Sequence, residues 1–303
     1  MKIIFMGTPN FATPILKALN EKYEVVMVVS QPNREKKKGN LIDTPVASLA
    51  KELNLKLIQP EKIIDSFEEI KNAQADVLVT AAYGQYISSK ILSLFKKTIN
   101  VHGSLLPYHR GGAPIQRSIM EGDEYTGVTI MEMAKKLDAG KIYSKKEYKI
   151  EEDDNSSTVF EKLSIIGRDL LMSSIEDIYN DINQGEEQDE SIATYSSNIT
   201  KEEELIDFKL PSKDVINKIR GLAMEPGAYF QIEDVKIKVF KAHVTDLESD
   251  FEAGSVVKVK KGIFIKTKDK VISLDLITYP GKKMMDGASF ANGQKILAVG
   301  MVL

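Results

Sequence analysis

Short apolar runs alternate with helix-like patterns of apolar and polar residues along the first half of the chain. The runs predict buried strands, at Lys2–Met6, Tyr23–Ser30, Val77–Thr80 and from Thr98 onward. The intervening patterns predict helices, at Phe11–Glu21, Pro45–Leu53 and, further along, Ser157–Tyr179. Strands that alternate with helices are joined by right-handed crossovers, which makes neighbouring strands parallel. The first prediction is therefore an α/β domain with a Rossmann-like, mostly parallel sheet.

A polar and acidic stretch, residues 184–204, separates this part of the chain from a second part that is rich in strand patterns. Its composition is typical of a linker. Beyond it, one helix and a series of short strands are predicted, at Ser212–Leu222 and then at Ala228–Ile232, Val235–Val244, Ser255–Lys260, Gly262–Thr267 and Val271–Thr278. Strands at this spacing predict a small β-barrel. We therefore predict a first domain at residues 1–189, a linker at 190–206 and a smaller C-terminal domain at 207–303.

Composition excludes several classes of protein. The chain of 303 residues is long enough for two domains, and its 43% hydrophobic and 28% charged residues are ordinary for a soluble globular protein. No apolar run approaches the roughly 18 residues that cross a bilayer. The apolar start is too short for a secretory signal. Because cysteine is absent, there is no disulfide, thiolate metal site or thiol nucleophile. We expect a cytoplasmic protein with no membrane partner.

Charge is distributed unevenly about a net value of -3. From residue 207 to the end, 16 Lys and Arg stand against 12 Asp and Glu, whereas the preceding residues carry an excess of acidic groups. A basic C-terminal part on an acidic body favours a polyanionic partner for that part alone. A solvated, lysine-rich surface explains the excess equally well.

The densest candidate chemistry lies in the stretch from Asn100 to Gln116. A strand that ends there places Asn100 and His102 on one face, roughly 6 to 7 Å apart. An amide donor beside an imidazole suits a carbonyl oxygen that gains negative charge. Ligands bind beyond the carboxyl ends of strands in parallel sheets, which is where this pair falls. A lone histidine on a strand is often structural, but its asparagine partner favours catalysis.

Asp138 is the third candidate, because an aspartate before Ala139-Gly140 has two interpretations. It is either a plain turn residue or a carboxylate folded back to orient the His102 ring. The sequence alone does not decide between them.

Two further loops follow predicted strands at the same sheet edge. Residues 83–87 are either an ordinary connection or a segment whose backbone amides and carbonyls line a flat heterocycle. Residues 31–40 carry Arg34 and three lysines, which either keep the loop soluble or grip phosphates.

Several blocks together resemble the folate-dependent formyltransferases. The Asn-x-His strand end, the Ser-Leu-Leu-Pro of residues 104–107 and the later Asp-Ala-Gly match that family's pattern. Further blocks resemble the branch of the family that acts on tRNA, and they are Phe5–Ala12, Gln31–Arg34, Gly112–Arg117, Thr126–Met131, Ala193–Tyr195, Arg220–Leu222, Pro226–Tyr229 and Phe290–Gly293. The resemblance covers essentially the whole chain.

The resemblance implies a fold, a reaction and partners. The fold is an N-terminal formyltransferase domain with an OB-like C-terminal barrel. The reaction is transfer of a formyl group from 10-formyltetrahydrofolate to the free α-amine of methionine on initiator tRNA. No metal is implied, and the partners are the aminoacylated tRNA and the folate, bound by a monomer.

The resemblance also implies roles for individual residues. Asn100 and protonated His102 would stabilise the oxyanion, and Asp138 would position His102 and assist proton movement. The folate site would be lined by Tyr83, Gly84, Gln85, Tyr86, Ile87, Ser104, Leu105, Leu106 and Pro107. The acceptor arm of the tRNA would be bound by Arg34, Lys36, Lys37 and Lys38.

Two alternatives stay open at this point. One is a formyltransferase for a small amine, such as glycinamide ribonucleotide or an amino sugar, against which the additional basic domain speaks. The other is a non-catalytic RNA-binding protein on the same scaffold, against which the joint presence of Asn100, His102 and Asp138 speaks.

Overall fold

The computed structural model describes residues 1–36 and 40–303. The chain forms two compact units. Unit 1 comprises Met1–Pro114, Tyr125–Lys149 and Phe160–Ser197, and unit 2 comprises Ile115–Glu124, Ile150–Val159 and Asn198–Leu303. Both units are therefore built from separate stretches of sequence.

Unit 1 is organised around one seven-stranded sheet in the order β5-β2-β1-β6-β7-β8-β9. The strands of the unit are β1 (Lys2–Gly7), β2 (Glu24–Val29), β3 (Arg34–Lys36), β4 (Asn40–Ile42), β5 (Leu57–Ile58), β6 (Val77–Ala81), β7 (Lys97–His102), β8 (Tyr125–Glu132) and β9 (Ile142–Lys149). From β5 to β7 all neighbours are parallel, whereas β8 is antiparallel to both β7 and β9. The two short strands β3 and β4 pair as a separate antiparallel hairpin.

The middle of this sheet is almost wholly apolar. Ile3 to Met6 of β1 are fully buried, and every residue of β6 is buried. Strands covered on both faces consist of continuous apolar runs, as parallel sheets require. Because β1 lies between β2 and β6, the strand order changes direction at β1, and ligands bind at such a switch point in open α/β sheets.

Helices connect the strands in both units. They are α1 (Thr13–Lys22), α2 (Pro45–Glu52), α3 (Phe67–Asn72), α4 (Ser89–Leu92), α5 (Pro114–Glu121), α6 (Ser156–Tyr179), α7 (Ser212–Leu222) and α8 (Gly287–Gly293). Capping is clear at α2, where the Thr44 hydroxyl accepts a hydrogen bond from the Ala47 amide at 3.1 Å. None of the helices in the described ranges is long and apolar enough to cross a membrane.

Unit 2 contains a curled antiparallel sheet in the order β10-β11-β14-β13-β12, with β15 paired to β14. Its strands are β10 (Ala228–Ile232), β11 (Val235–Thr245), β12 (Val256–Lys258), β13 (Ile263–Lys266), β14 (Val271–Thr278) and β15 (Met285–Asp286). The core includes Phe208 and Phe230, whose rings meet edge to face at 5.9 Å between centroids. The apolar inner face buries enough surface to stabilise the sheet without its closure into a complete barrel.

The predicted fold class is confirmed: unit 1 has a Rossmann-like, mostly parallel sheet, and unit 2 has a half-barrel of antiparallel strands. The predicted linker, residues 190–206, divides between the units after Ser197. The boundaries at 189 and 207 stay predictions. Lys37 and Lys38, two of the predicted tRNA contacts, lie outside the described residues.

Candidate active site

Asn100 and His102 project from the C-terminal end of β7, on the same face of the strand. Strand β7 ends beside β6, where Thr80 pairs with Asn100 and Ala81 with Val101. The Thr80 hydroxyl donates to the Asn100 side-chain oxygen at 2.8 Å. That bond engages the amide oxygen, so the NH2 group is the part of the side chain that remains as a donor.

The His102 ring is buried and both of its nitrogens face oxygen atoms. Nε2 lies 3.0 Å from the backbone carbonyl oxygen of His109, and Nδ1 lies 3.8 Å from Oδ2 of Asp138. A carbonyl oxygen only accepts, so Nε2 carries the proton in the neutral ring. The Nδ1 edge therefore faces a carboxylate at ion-pair distance when the imidazole is protonated.

Asp138 combines the two interpretations that the sequence left open. It is a turn residue with a left-handed backbone, φ 48°, and its carboxylate also points back toward His102. Its Oδ2 accepts a hydrogen bond from the Gly111 amide at 2.9 Å, and only 14% of its side chain is exposed. A carboxylate with one amide donor and one imidazole neighbour is suited to accept a proton or to orient the ring.

The loop that follows β7 is held by a distant part of the chain. The Arg110 amide donates to the carbonyl of Thr194 at 2.9 Å, and the Ser196 amide donates to the carbonyl of Arg110 at 2.6 Å. The His109 amide donates to the Thr194 hydroxyl at 2.8 Å. At Gly111, φ is 117° and an added Cβ would lie 2.6 Å from the Ser196 carbonyl oxygen, so only glycine fits. Residues 194–196 thus fix the backbone that contacts His102 and Asp138.

A fully buried guanidinium lies at the centre of this loop. Arg110 donates from Nε and Nη2 to the Gln188 side-chain oxygen, at 3.1 and 2.8 Å, and from Nη1 and Nη2 to the Glu190 carboxylate, at 3.2 and 2.9 Å. The hydrogen bond from Arg110, reinforced by Lys136, lowers the pKa of Glu190 to about 2. Arg110 and Gln188 were not predicted from the sequence, because their 78-residue separation leaves no local pattern.

The segment after β6 presents backbone groups at the same sheet edge. The Tyr83 carbonyl accepts from the Thr8 hydroxyl at 2.9 Å and from the Gln31 side-chain amide at 3.1 Å. The Gln85 side-chain oxygen accepts from the Ile63 amide at 2.8 Å. Within the described chain, the amide N–H groups of residues 84–87 find no partner. These free donors could bind the acceptor atoms of a flat heterocycle.

A cavity of about 500 Å³ opens beside this segment. It is lined by Glu61, Lys62, Ile63, Ile64, Gln85, Tyr86 and Ser88. Tyr86 is 67% exposed, whereas Ile87 and Tyr83 are buried. The Tyr83 hydroxyl is buried without a partner among the described residues, and burial raises its pKa to about 12. Of the predicted folate residues in this segment, Gln85 and Tyr86 offer side chains to the cavity.

Ser104 to Pro107 form a turn that hydrogen bonds hold in place. The buried Ser104 hydroxyl donates to the Tyr108 carbonyl at 2.6 Å, so it supports the loop. The Thr129 hydroxyl donates to the Ser104 carbonyl at 2.7 Å and accepts from the Leu106 amide at 3.1 Å. Leu106 and Pro107 are buried, and Leu105 alone of the four is partly exposed. Because three of these four residues are buried, the turn contributes to the site mainly through the conformation of its backbone.

Arg34 and Lys36, the described members of the predicted tRNA contacts, belong to the hairpin of β3 and β4. The base of this hairpin is anchored, because the Asn33 side-chain amide donates to Asp43 at 2.6 Å and its oxygen accepts from Gln59 at 2.7 Å. The hairpin follows β2, at the same edge of the sheet as the groups above.

Known proteins match the chain over its whole length. The family described as Formyl transferase matches residues 1–175, and the family described as Formyl transferase, C-terminal domain, matches residues 198–295. A methionyl-tRNA formyltransferase from Staphylococcus aureus (strain bovine RF122 / ET3-1) is 40% identical over 100% of this chain and 99% of its own length. A methionyl-tRNA formyltransferase from Lactobacillus acidophilus is 43% identical over 96% of this chain and 95% of its own.

A solved structure shows the same fold. HypX from Aquifex aeolicus, in complex with tetrahydrofolic acid, superposes with a TM-score of 0.67 at 15% identity. The match covers 99% of this chain and 48% of that chain. With two domain matches and relatives at 40% identity or more, the chain belongs to the formyl transferase family.

Proposed function

We propose that the protein transfers a formyl group from 10-formyltetrahydrofolate to the α-amine of methionine on initiator tRNA, which yields formylmethionyl-tRNA for translation initiation. The observation that carries this is the cluster of an amide, an imidazole and a carboxylate at the end of β7, with Asp138 3.8 Å from His102. The matched methionyl-tRNA formyltransferases support the acceptor, and HypX with its tetrahydrofolic acid supports a folate donor. Such a reaction belongs to the cytoplasm, where translation occurs.

In the proposed reaction the amine nitrogen forms a bond to the formyl carbon, and the bond from that carbon to the folate nitrogen then breaks. The formyl oxygen becomes an oxyanion in between. The NH2 group of Asn100 donates to that oxygen, since the amide oxygen is occupied by Thr80. His102 donates a second hydrogen bond from Nε2, and the formyl oxygen replaces the His109 carbonyl as its acceptor. Each such donor contributes about 3 kcal/mol to lowering the barrier.

Asp138 serves the proton that the attacking amine must lose. Its carboxylate faces Nδ1 of His102 at 3.8 Å, so it holds the ring in the orientation that presents Nε2 to the oxyanion. The same carboxylate accepts the ammonium proton, which finally reaches the leaving folate nitrogen. General base assistance of this kind is worth about 10² to 10⁴ in rate.

The folate lies, in this proposal, against residues 83–87 and 104–107. The unpartnered amides of residues 84–87 and the adjoining cavity suit a flat heterocycle with several acceptors. The shape of the second segment, fixed by Thr129, closes the other side. Arg34, Lys36, Lys37 and Lys38 bind phosphates of the acceptor arm, and the basic residues 207–303 bind the tRNA body.

Formyl transfer with three acceptors tests the acceptor class. Purified protein is given 10-formyltetrahydrofolate with methionyl initiator tRNA, with glycinamide ribonucleotide or with an amino sugar nucleotide. We expect product with the tRNA alone. Product with a small amine alone would overturn the choice of acceptor, and binding of tRNA without any transfer would favour a non-catalytic RNA-binding protein.

The chemistry is tested by His102→Ala. Because this removes one oxyanion donor and the partner of Asp138, kcat should fall by about 10² to 10³ with little change in KM. Ser173→Ala, an exposed change on α6, is the matched control. A His102→Ala enzyme with near-normal kcat refutes the mechanism.

The phosphate-binding hairpin is tested by the salt dependence of KM for tRNA. Replacing Lys36, Lys37 and Lys38 together with alanine should raise KM and flatten the logarithmic salt slope by about 0.9 for each phosphate that the variant no longer neutralises. Lys71→Ala on α3 is the control. An unchanged slope in the triple variant excludes this hairpin from the tRNA interface.

A further inference from the structure

Gln188 is a fully bonded buried side chain with no role in the reaction proposed above. Its oxygen accepts two hydrogen bonds from the Arg110 guanidinium. Its NH2 group donates to the carbonyl of Asp138 at 2.9 Å and to the carbonyl of Gly140 at 2.7 Å. The side chain therefore links the loop after β7 to the turn that carries the Asp138 carboxylate.

The turn that Gln188 holds needs such support. Asp138 has φ 48°, a left-handed conformation that a non-glycine residue adopts at a cost. The two residues that precede it, Lys136 and Leu137, are exposed, and the Lys136 ammonium pairs with the exposed Glu190 carboxylate. From the other side, the Gln188 side chain donates two hydrogen bonds to the backbone of this turn.

Arg110 connects this restraint to the other two contacts of the site. The residue before it, His109, provides the carbonyl at Nε2 of His102, and the residue after it, Gly111, donates its amide to the Asp138 carboxylate. Its own guanidinium orients Gln188. The buried Arg110 side chain therefore connects Gln188 to the backbone on both sides that contacts the imidazole and the carboxylate.

Resting on the proposed function, we infer that Gln188 is a positioning residue for catalysis, which acts by fixing the Asp138 carboxylate beside His102. The 3.8 Å between these groups is long for a hydrogen bond, so the pair relies on the surrounding backbone for its geometry. A displacement of the carboxylate by about 1 Å is expected to cost up to 10²-fold in rate.

The test uses Gln188→Glu, which keeps the shape and the bond to Arg110 but turns both donors into acceptors that face two carbonyls. We expect kcat to fall by about tenfold or more, with KM for tRNA and folate within twofold of the parent. Gln184→Ala, four residues upstream and exposed, is the matched control with unchanged kcat. Gln188→Met, of similar length and without donors, is measured in parallel, so the test does not depend on one variant folding.

A double-mutant cycle with Asp138→Asn separates positioning from a general structural effect. Because Gln188 acts through Asp138, its substitution should change single-turnover rates less than twofold once Asp138 is already replaced. A loss of the same size in both backgrounds overturns the inference, as does a Gln188→Glu enzyme with kcat within twofold of the parent. If Asp138→Asn itself retains full activity, the role proposed for Asp138 fails and the inference with it, whereas the proposed function fails only if the parent enzyme transfers no formyl group to methionyl-tRNA.

Discussion

Substitution of Arg110 by methionine is the most decisive test of how the candidate site is built. Arg110 is 0% exposed, and methionine has a similar length, so the change removes the charge and donors while it keeps most of the packing. Two of the partners of the guanidinium, Gln188 and Glu190, differ in their surroundings. Gln188 is buried, whereas the side chain of Glu190 is 50% exposed.

This difference in exposure determines how much stability the substitution removes. Once the guanidinium is gone, the exposed Glu190 carboxylate recovers water, so the loss of this ion pair adds little to the cost. The Gln188 oxygen loses both donors inside the protein, which costs about 1 to 3 kcal/mol. The sum is a loss of about 2 kcal/mol, well below the 3 to 5 kcal/mol expected when a buried charge is left unpaired. For a cooperative unit of this size, Tm falls by about 4 to 8 °C.

Thermal unfolding of the full chain, followed by circular dichroism, measures the shift. Glu190→Gln separates the two contributions, because it leaves the bonds between Arg110 and Gln188 intact, and its Tm should fall by less than about 3 °C. Arg168→Met, on the exposed side of α6, is the control for loss of an arginine. A Tm for Arg110→Met within about 1 °C of the parent, or an equal loss in Glu190→Gln, refutes the reasoning.

Three further predictions concern the same unit. An added methyl at Gly140 would lie 2.1 Å from a backbone carbonyl oxygen, so Gly140→Ala should displace the turn with Asp138 and lower kcat about tenfold, whereas Gly293→Ala, with open space, should not. Arg110 and Lys136 lower the pKa of Glu190 to about 2, so the stability that the Glu190 carboxylate adds to the fold is complete above pH 4.5 and lost as the pH falls through about 2. The Tm difference between the parent and Glu190→Gln should therefore shrink over that interval, and a constant difference contradicts this prediction. Thr129→Val leaves the Ser104 carbonyl and the Leu106 amide without their hydrogen-bond partner, so KM for folate should rise severalfold. An unchanged KM would mean that this turn is not part of the folate site.

Much of unit 1 was predictable because its central strands are uniform. The apolar runs of β1 and β6 have no competing helical periodicity, so both strands were predicted within one residue of their observed ends. Strands β8 and β9 were missed. In β9, four of the eight residues are charged and four are exposed, as suits an edge strand that must not pair with another chain, and such a strand lacks an apolar signal.

The residues of the candidate site likewise divide into those that a local pattern predicts and those that it does not. Asn100 and His102 were predictable together because alternation along one strand is a local rule. The residue pattern alone left two interpretations of Asp138, since its approach to His102 depends on a turn, and the resemblance implied its role beside His102. Arg110 and Gln188 gave no signal. Gln188 lies in the polar, acidic stretch 184–204, which has the composition of a linker, and its partner Arg110 is 78 residues away.

The pairing of Arg110 with residues 194–196 also has a consequence for the order in which the protein matures on the ribosome. The loop after β7 emerges some 80 residues before the segment that pins it, so the early part of the sheet can assemble while this loop is still unrestrained. Catalytic competence is thus acquired late, only after the polypeptide has grown past Ser196. A nascent chain stalled or cleaved before that point would hold the folded sheet yet lack the geometry for chemistry.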